Sequence, residues 1–452
     1  MIILVIFGLV LSLVTTMVSP FGGLLALLAV NAIQPGELYP SLSVVHPERV
    51  LALLLLFSML VRSPHLRFPV LTRYVLAFWA VMLVSVPTSI WISNCLVFVL
   101  DFGRTVLYNV MLVSLITTLR RFRLLLLTFV LLMGWFAGSS LWAYAHGEFQ
   151  VRNSYGVGEL ERAVGFTSSS NDPNSLGITL VSGLPIVLLF VLHGDWRDRL
   201  LGLAVAVMSV WAVLLTGSRT AVMCLVAFFA IWALTRKKAF FYIPAVVLIL
   251  LLAWTLLPQQ YQQRYLSVES RDQDESYTNR IVAWHAGWHM FLDHPVLGVG
   301  AGQFGIADGM KYWSGNTSYR MWLQPHSLYV QVIAELGCAG TIAFGLLLFR
   351  TFAHGRRLSR RLRMTNVPGY LKGFPSAAAF SLLILMMAGY ASHSLYRWTW
   401  YFIAGLMAAA EFVAEAEIER AAPVLTEAEE PFAIPEPVEA NHALAGGPDY
   451  RG

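Results

Sequence analysis

"RRFRLLLLTFVLLMGWFAGSSLWAYA", Arg120–Ala145, decides the fold. Arginines open the stretch, and 124–145 then runs without a charged residue. An uncharged apolar run of roughly 20 residues is long enough to cross a bilayer as a helix. The pattern recurs along the chain. Apolar candidates fall at 2–18 running into 21–33, then at 49–61, 74–92, 95–118, 124–145, 174–193, 200–216, 220–235, 239–257, 327–349, 374–392 and 397–413. The 452 residues are 57% hydrophobic and only 13% charged, about half the charge of an ordinary soluble domain. Barrels would need short alternating blocks separated by turns, and these are not seen. The expected class is therefore all-α: a polytopic integral membrane protein of about twelve transmembrane helices.

Basic clusters punctuate the runs: Arg62, Arg67 and Arg73; Arg120, Arg121 and Arg123; Arg197 and Arg199; Arg236, Lys237 and Lys238; and a longer group from Arg350 to Lys372. They fall at every second loop, which the positive-inside rule makes cytoplasmic. The loops 34–48, 146–173, 217–219, 258–326 and 393–396 then face the other side. Pro20, Gly22 and Gly23 either divide the first apolar stretch into two helices or bend one. The expected organisation is a membrane domain over 1–413, whose large outward loop 258–326 carries short interfacial helices, and a disordered acidic cytoplasmic tail over 414–452. In that loop, Arg280, Trp284, Trp288 and Phe291 share the spacing of a helix lying in the headgroup zone.

The net charge of +5 reads as topology, not as a nucleic-acid footprint. Cys95, Cys224 and Cys338 lack metal or disulfide spacing and read as packing residues. The N-terminus lacks a basic n-region and a small-residue cleavage pattern, so it reads as a retained helix.

Candidate chemistry gathers on the outward side. Arg219 sits on a very short turn, "TGSRTA" (216–221), with no acidic partner near in sequence. Asp101 and Arg104 lie within an apolar run, where charges mark either a site or an ion pair. Arg152, Arg162, Arg264, Arg271, Arg280 and Arg320 add to the outward face. Guanidinium groups grip phosphate oxygens bidentately, and the phosphate at such an interface belongs to a lipid headgroup or a lipid-linked diphosphate. Solvated loop charge is the plainer reading for several of them. His326 follows Pro325 at the start of a span. A helix N-terminus favours the neutral imidazole, able to accept a proton; an interfacial packing histidine is the alternative. Glu335 lies about 13 Å deeper on the same helix and off the His326 face; a helix–helix hydrogen bond is its expected role. Gly337 and Gly340 suit helix packing. His285 and His289 have i, i+4 spacing without the glutamate of a zinc-protease motif. "GVGAGQF" (298–304) follows no strand and reads as a tight turn, and Asn316–Ser318 is a formal glycosylation sequon. No metal or other cofactor is expected.

Four motifs stand in order: "GFTSSSNDPNSLG" (165–177), "TGSRTA" (216–221), "NRIVAWHAGWHMFLDHPVLGVGAGQF" (279–304) and "PHSLYVQVIAELGCAG" (325–340). Together they resemble the O-antigen ligase and O-antigen polymerase superfamily of bacterial inner membranes. The family usually has asparagine after the histidine, where this chain has Ser327. The resemblance implies a multi-pass glycosyltransferase that moves a glycan from undecaprenyl diphosphate to an acceptor on the periplasmic side. It implies functional roles for Arg219, Arg280 and His326. Arg104, Arg162, Arg264 and Arg320 are the expected additional substrate contacts. The acceptor is lipid A core in a ligase, a growing glycan in a polymerase, and a side chain in a protein O-glycan ligase. Outside this class, a transporter would show inverted repeats and mid-span charges, and a non-catalytic scaffold would tolerate changes at His326.

Overall fold

A computed structural model describes residues 2–62, 65–154, 158–166, 171–235, 239–266, 275–313, 322–421 and 452. The chain begins with α1 (Ile2–Val18), α2 (Pro20–Ile33), the single turns α3 (Pro35–Leu38) and α4 (Pro40–Ser43), α5 (Pro47–Arg62), α6 (Val70–Ser85), α7 (Ile92–Leu115) and α8 (Leu119–Ala145). A hairpin of β1 (Gln150–Ser154) and β2 (Gly158–Arg162) follows. Next come α9 (Pro173–His193), α10 (Trp196–Leu215), α11 (Arg219–Leu234), α12 (Ala239–Leu256), α13 (Gln259–Leu266), α14 (Glu275–Asp293) and α15 (Phe304–Ala307). A π turn, Asp308–Tyr312, leads towards α16 (Leu328–Leu362), α17 (Gly369–Ala388) and α18 (Trp398–Ala421).

Eight helices among the described residues are long and apolar enough to cross a membrane, and four shorter apolar helices accompany them. The first apolar stretch is two helices. Ser19 caps α2 by accepting from Gly22 N, and Pro20 takes its first position, where a missing N–H costs nothing. A Cβ on Gly22 would lie 2.6 Å from the Thr15 side chain, so only a residue without one fits the bend.

Three details depart from the sequence reading. The loop 146–173 holds an antiparallel hairpin, Gln150 opposite Arg162 and Ser154 opposite Gly158, so the fold is helical but not purely so. α16 continues through the basic segment after 349 to Leu362; that cluster is a helical extension, not a loop. α18 runs to Ala421, beyond the expected boundary at 413. Arg271, Arg320, the sequon Asn316–Ser318 and residues 422–451 of the expected tail lie outside the described residues.

Aromatic rings hold the centre. Phe78 of α6 stands 6.0 Å from Phe102 of α7, 5.7 Å from Phe344 of α16 and 5.8 Å from Tyr401 of α18, centroid to centroid. Asn109 of α7 pins the same junction, donating to Tyr401 O at 2.7 Å and accepting from Thr72 Oγ1 at 2.9 Å. Two ends follow from this packing. At one end the described basic clusters meet, Arg236, Lys237 and Lys238 lying outside the described residues: Arg62 donates to Val18 O at 2.7 Å, Arg67 lies 3.8 Å from the Phe412 ring centre, Arg123 pairs with Asp198 at 2.7 Å, and Arg361 pairs with Glu415 at 3.0 Å. Described parts of the loops between them meet at the opposite end, where Arg162 bonds to Thr216 O and Asn174 and Arg219 bonds to Arg264 O.

Candidate active site

The TGSR turn is a built structure. Gly217 has φ 61°, the left-handed region that glycine adopts without strain. Thr216 Oγ1 donates to Val213 O at 2.6 Å and accepts from Ser218 N at 3.2 Å. Ser218 caps α11, accepting from Ala221 N, so Arg219 occupies the first helical position. Strand β2 backs the turn. Ala163 N donates to Leu215 O at 2.9 Å, and Arg162, only 3% exposed, donates from Nε to Thr216 O at 2.7 Å.

Helix α13 closes over this turn. Arg219 Nε donates to Arg264 O at 3.1 Å. Tyr265 OH donates to Leu214 O at 2.7 Å, and Tyr261 OH donates to Glu161 O at 2.5 Å. Burial pushes the Tyr265 phenol above its usual pKa, while the charges of Arg162 and Arg264 pull it back. Arg162, Arg219 and Arg264 thus form one cluster, built on three elements far apart in sequence.

His326 belongs to a second group. It has φ 44°, and its ring centroid lies 5.2 Å from that of His393, edge to face. Trp284 Nε1 donates to Pro325 O at 2.8 Å, which fixes α14 beside the histidine. Arg280 lies one turn earlier on α14, and so on the Trp284 face. Ser327 is the N-cap residue of α16, but its side chain makes no capping hydrogen bond. Behind this loop, buried Asp308 accepts from Leu323 N at 3.0 Å, and burial raises its pKa to about 6.

The first turns of α9 join the groups. Asp172 caps the helix by accepting from Ser175 N at 2.8 Å. Asn174 Oδ1 accepts from Arg162 at 3.1 Å. Ser175 O and Thr179 Oγ1 each accept from Arg397 at 3.3 Å. Gly177 lets α9 press on the TGSR turn, since a Cβ there would lie 2.7 Å from Ala221 Cβ. The protein packed around the His393 ring and the Arg397 charge lower its pKa, and Asp172 opposes them, although part of the residue stays open to solvent. Asp172, His326 and His393 are exposed, while Arg219, Arg264, Arg280 and Arg397 keep part of their surface accessible. The arrangement places two guanidinium groups, Arg162 and Arg397, against the first turns of α9 and the His326–His393 pair beside Arg397, which suits an anion beside a proton acceptor.

Other expected residues lie elsewhere. Arg104 forms an ion pair with Asp101 at 2.9 Å and lines a separate cavity of about 550 Å³ among α2, α7, α8 and α18. The His285 and His289 rings lie 4.4 Å apart, and among the described residues no third His, Cys, Asp or Glu joins them. Glu335 does not bridge two helices in the expected way. Its carboxylate accepts from Gly302 N at 2.8 Å, Phe304 N at 3.4 Å and Tyr396 OH at 2.5 Å. Sequence reasoning missed His393, Arg397 and the Asp172–Asn174 turn. Their signal was a His and an Arg flanking the last outward turn, and the "NDPNS" run quoted from 171–175.

No curated protein matches the chain. Residues 203–345 match the family model described as O-antigen ligase; that stretch includes the TGSR turn, α13, α14 and the opening of α16, and it bears out the resemblance to the O-antigen ligase superfamily.

Proposed function

We propose that the protein transfers a glycan from an undecaprenyl diphosphate donor to an acceptor hydroxyl at the periplasmic face of a bacterial inner membrane. The observation that carries this reading is the joining, through the first turns of α9, of the arginine cluster to the His326–His393 pair. Arg219 and Arg280 hold the diphosphate and stabilise the charge that develops on it as it leaves. His326 accepts the acceptor's proton while its oxygen attacks the anomeric carbon. One carbon–oxygen bond forms as the bond to the diphosphate breaks, and direct displacement inverts that carbon. Arg162 and Arg264 add positive charge behind Arg219. Arg104, paired with Asp101 beside another cavity, is left out of the reacting group.

The test is glycan transfer by Arg219→Ala, Arg280→Ala and His326→Ala in a strain lacking the native gene. Each change is expected to abolish transfer at unchanged membrane level, and wild-type transfer by all three ends this reading. Glycan length in the deletion strain separates polymerase from ligase: a polymerase deletion leaves single repeats, and a ligase deletion leaves long chains unattached.

A further inference from the structure

The loop Gly389–Arg397 lies outside the matched stretch 203–345, yet it reaches the candidate site at two points, through His393 and Arg397, and is anchored behind them by Tyr396. His393 faces the His326 ring, Tyr396 donates to Glu335, and Arg397 lies against α9. The Arg397 contacts are unusual for a guanidinium deep in a fold. NH1 donates to a hydroxyl and NH2 to a backbone carbonyl, each at 3.3 Å, long for charge-assisted bonds. Among the described residues no carboxylate forms an ion pair with it; Asp172 acts on it only through space. A guanidinium has more N–H donors than these contacts use. The side chain stays partly accessible beside the exposed His326 and His393. The N-terminal end of α9, a full-length helix, adds positive potential at the same place. Arg162 reaches that end through Asn174, Arg397 lies along its first two turns through Ser175 O and Thr179, and Asp172 caps it.

We propose that Arg397, beside His393 and the first turn of α9, is a phosphate-binding residue that takes the diphosphate of a polyprenyl-linked ligand. The assignment rests on the glycan-transfer reading and adds a contact from the last outward loop. Arg219 and Arg280 approach the anion from α11 and α14, and Arg397 approaches it from the start of α18. The long contacts to Ser175 and Thr179 hold the guanidinium in position until phosphate oxygens replace or share them.

The test is binding to the full-length protein in lipid nanodiscs, with undecaprenyl diphosphate, undecaprenol and inorganic pyrophosphate as probes. Wild type is expected to bind the diphosphate well above undecaprenol, and pyrophosphate more weakly than the lipid-linked form. Arg397→Gln is expected to weaken diphosphate binding roughly tenfold or more and leave undecaprenol binding unchanged. Arg397→Lys keeps the charge without the fork and is expected to fall between. Should Arg397→Gln fail to fold, the lysine variant is decisive, and equality with wild type overturns the assignment. Wild-type diphosphate binding by Arg397→Gln overturns it too, while leaving the roles of Arg219 and Arg280 standing. Equal loss of diphosphate and undecaprenol means a structural role and also overturns it. Pyrophosphate binding as tight as that of the lipid-linked form makes this a free-anion site, not the one assigned. If wild type does not prefer the diphosphate to undecaprenol, the glycan-transfer reading falls together with it.

Discussion

A carboxylate in an apolar helix must be satisfied or neutralised. Glu335 is satisfied by groups outside its own helix: Gly302 N, Phe304 N and Tyr396 OH. It thereby joins the glycine-rich loop after α14 to the loop that carries His393 and Arg397. The second of these loops carries site residues, so Glu335 is expected to act on the site through position and not through contact. Glu335→Ala removes the acceptor of Phe304 N and Tyr396 OH and leaves Gly302 N only its longer bond to Tyr396 OH at 3.3 Å, and a cost of about 2–5 kcal/mol is expected. Tyr396→Phe leaves the backbone donors paired and is expected to cost about 1 kcal/mol. Unfolding of the purified variants in detergent measures both, and a Glu335→Ala protein as stable as wild type would sink this role. The glutamate itself stood out in the sequence because ionisable residues are rare at such depth. Its partners did not, because they lie 31 to 61 residues away in loops whose register nothing local fixes.

At the scale of elements, the helix α16 is broken where the glycine loop meets it. Gly337 has φ 59° and ψ −153°, a region open almost only to glycine. The break frees backbone groups that the loop then takes up. Val299 N and Gly300 N donate to Ala334 O and Glu335 O, while Cys338 N and Ala339 N donate to Pro295 O and Val296 O. The contact is close on both sides: a Cβ on Gly298 would lie 2.3 Å from Glu335 C, and one on Gly337 would lie 2.6 Å from Pro295 O. Gly337→Ala is therefore expected to cost at least about 1–3 kcal/mol from backbone strain alone and to release the loop. Limited proteolysis between α14 and α16 reads this directly, and unchanged protection in Gly337→Ala would refute the interlock. The turn in "GVGAGQF" was legible from its glycines and from the lack of a preceding strand. The break was not, since an apolar run tolerates a single glycine within a continuous helix. The β1–β2 hairpin was hidden for another reason. Its polar residues carry no core-facing alternation, so periodicity had nothing to register.

The whole molecule separates its chemistry by end. Arg67 with Phe412, Arg123 with Asp198 and Arg361 with Glu415 gather at one end. Arg162 with Asn174, Arg219 with Arg264 and His326 with His393 gather at the other. The alternation of basic and non-basic loops made this division legible before any coordinate, because each crossing reverses direction. The number of crossings was less so, because residues 2–33 are apolar throughout except at a few small or polar positions. Here the packing decides. Arg62, in the first basic cluster, donates to Val18 O, and Ser58 donates to Thr16 O at 3.0 Å. The α1–α2 junction therefore lies at the basic end, as the C-terminus of α5 does. A chain that reaches that end at Val18 and leaves it again through α2 would cross twice, so α1 and α2 are expected to be separate passes. With α18 as the last pass, residue 2 and residue 421 are expected on opposite sides of the membrane, and Glu159 and Met364 likewise. Single cysteines placed at these four positions, in a chain with Cys95, Cys224 and Cys338 replaced, can be labelled by an impermeant maleimide on intact and opened cells. Labelling of residue 2 and Glu159 from outside, and of Met364 and residue 421 only after opening, is the expected pattern. Residue 2 labelled together with Met364 would show that α1 does not cross. Glu159 labelled only after opening would turn the arginine cluster towards the cell interior, where no periplasmic transfer could use it.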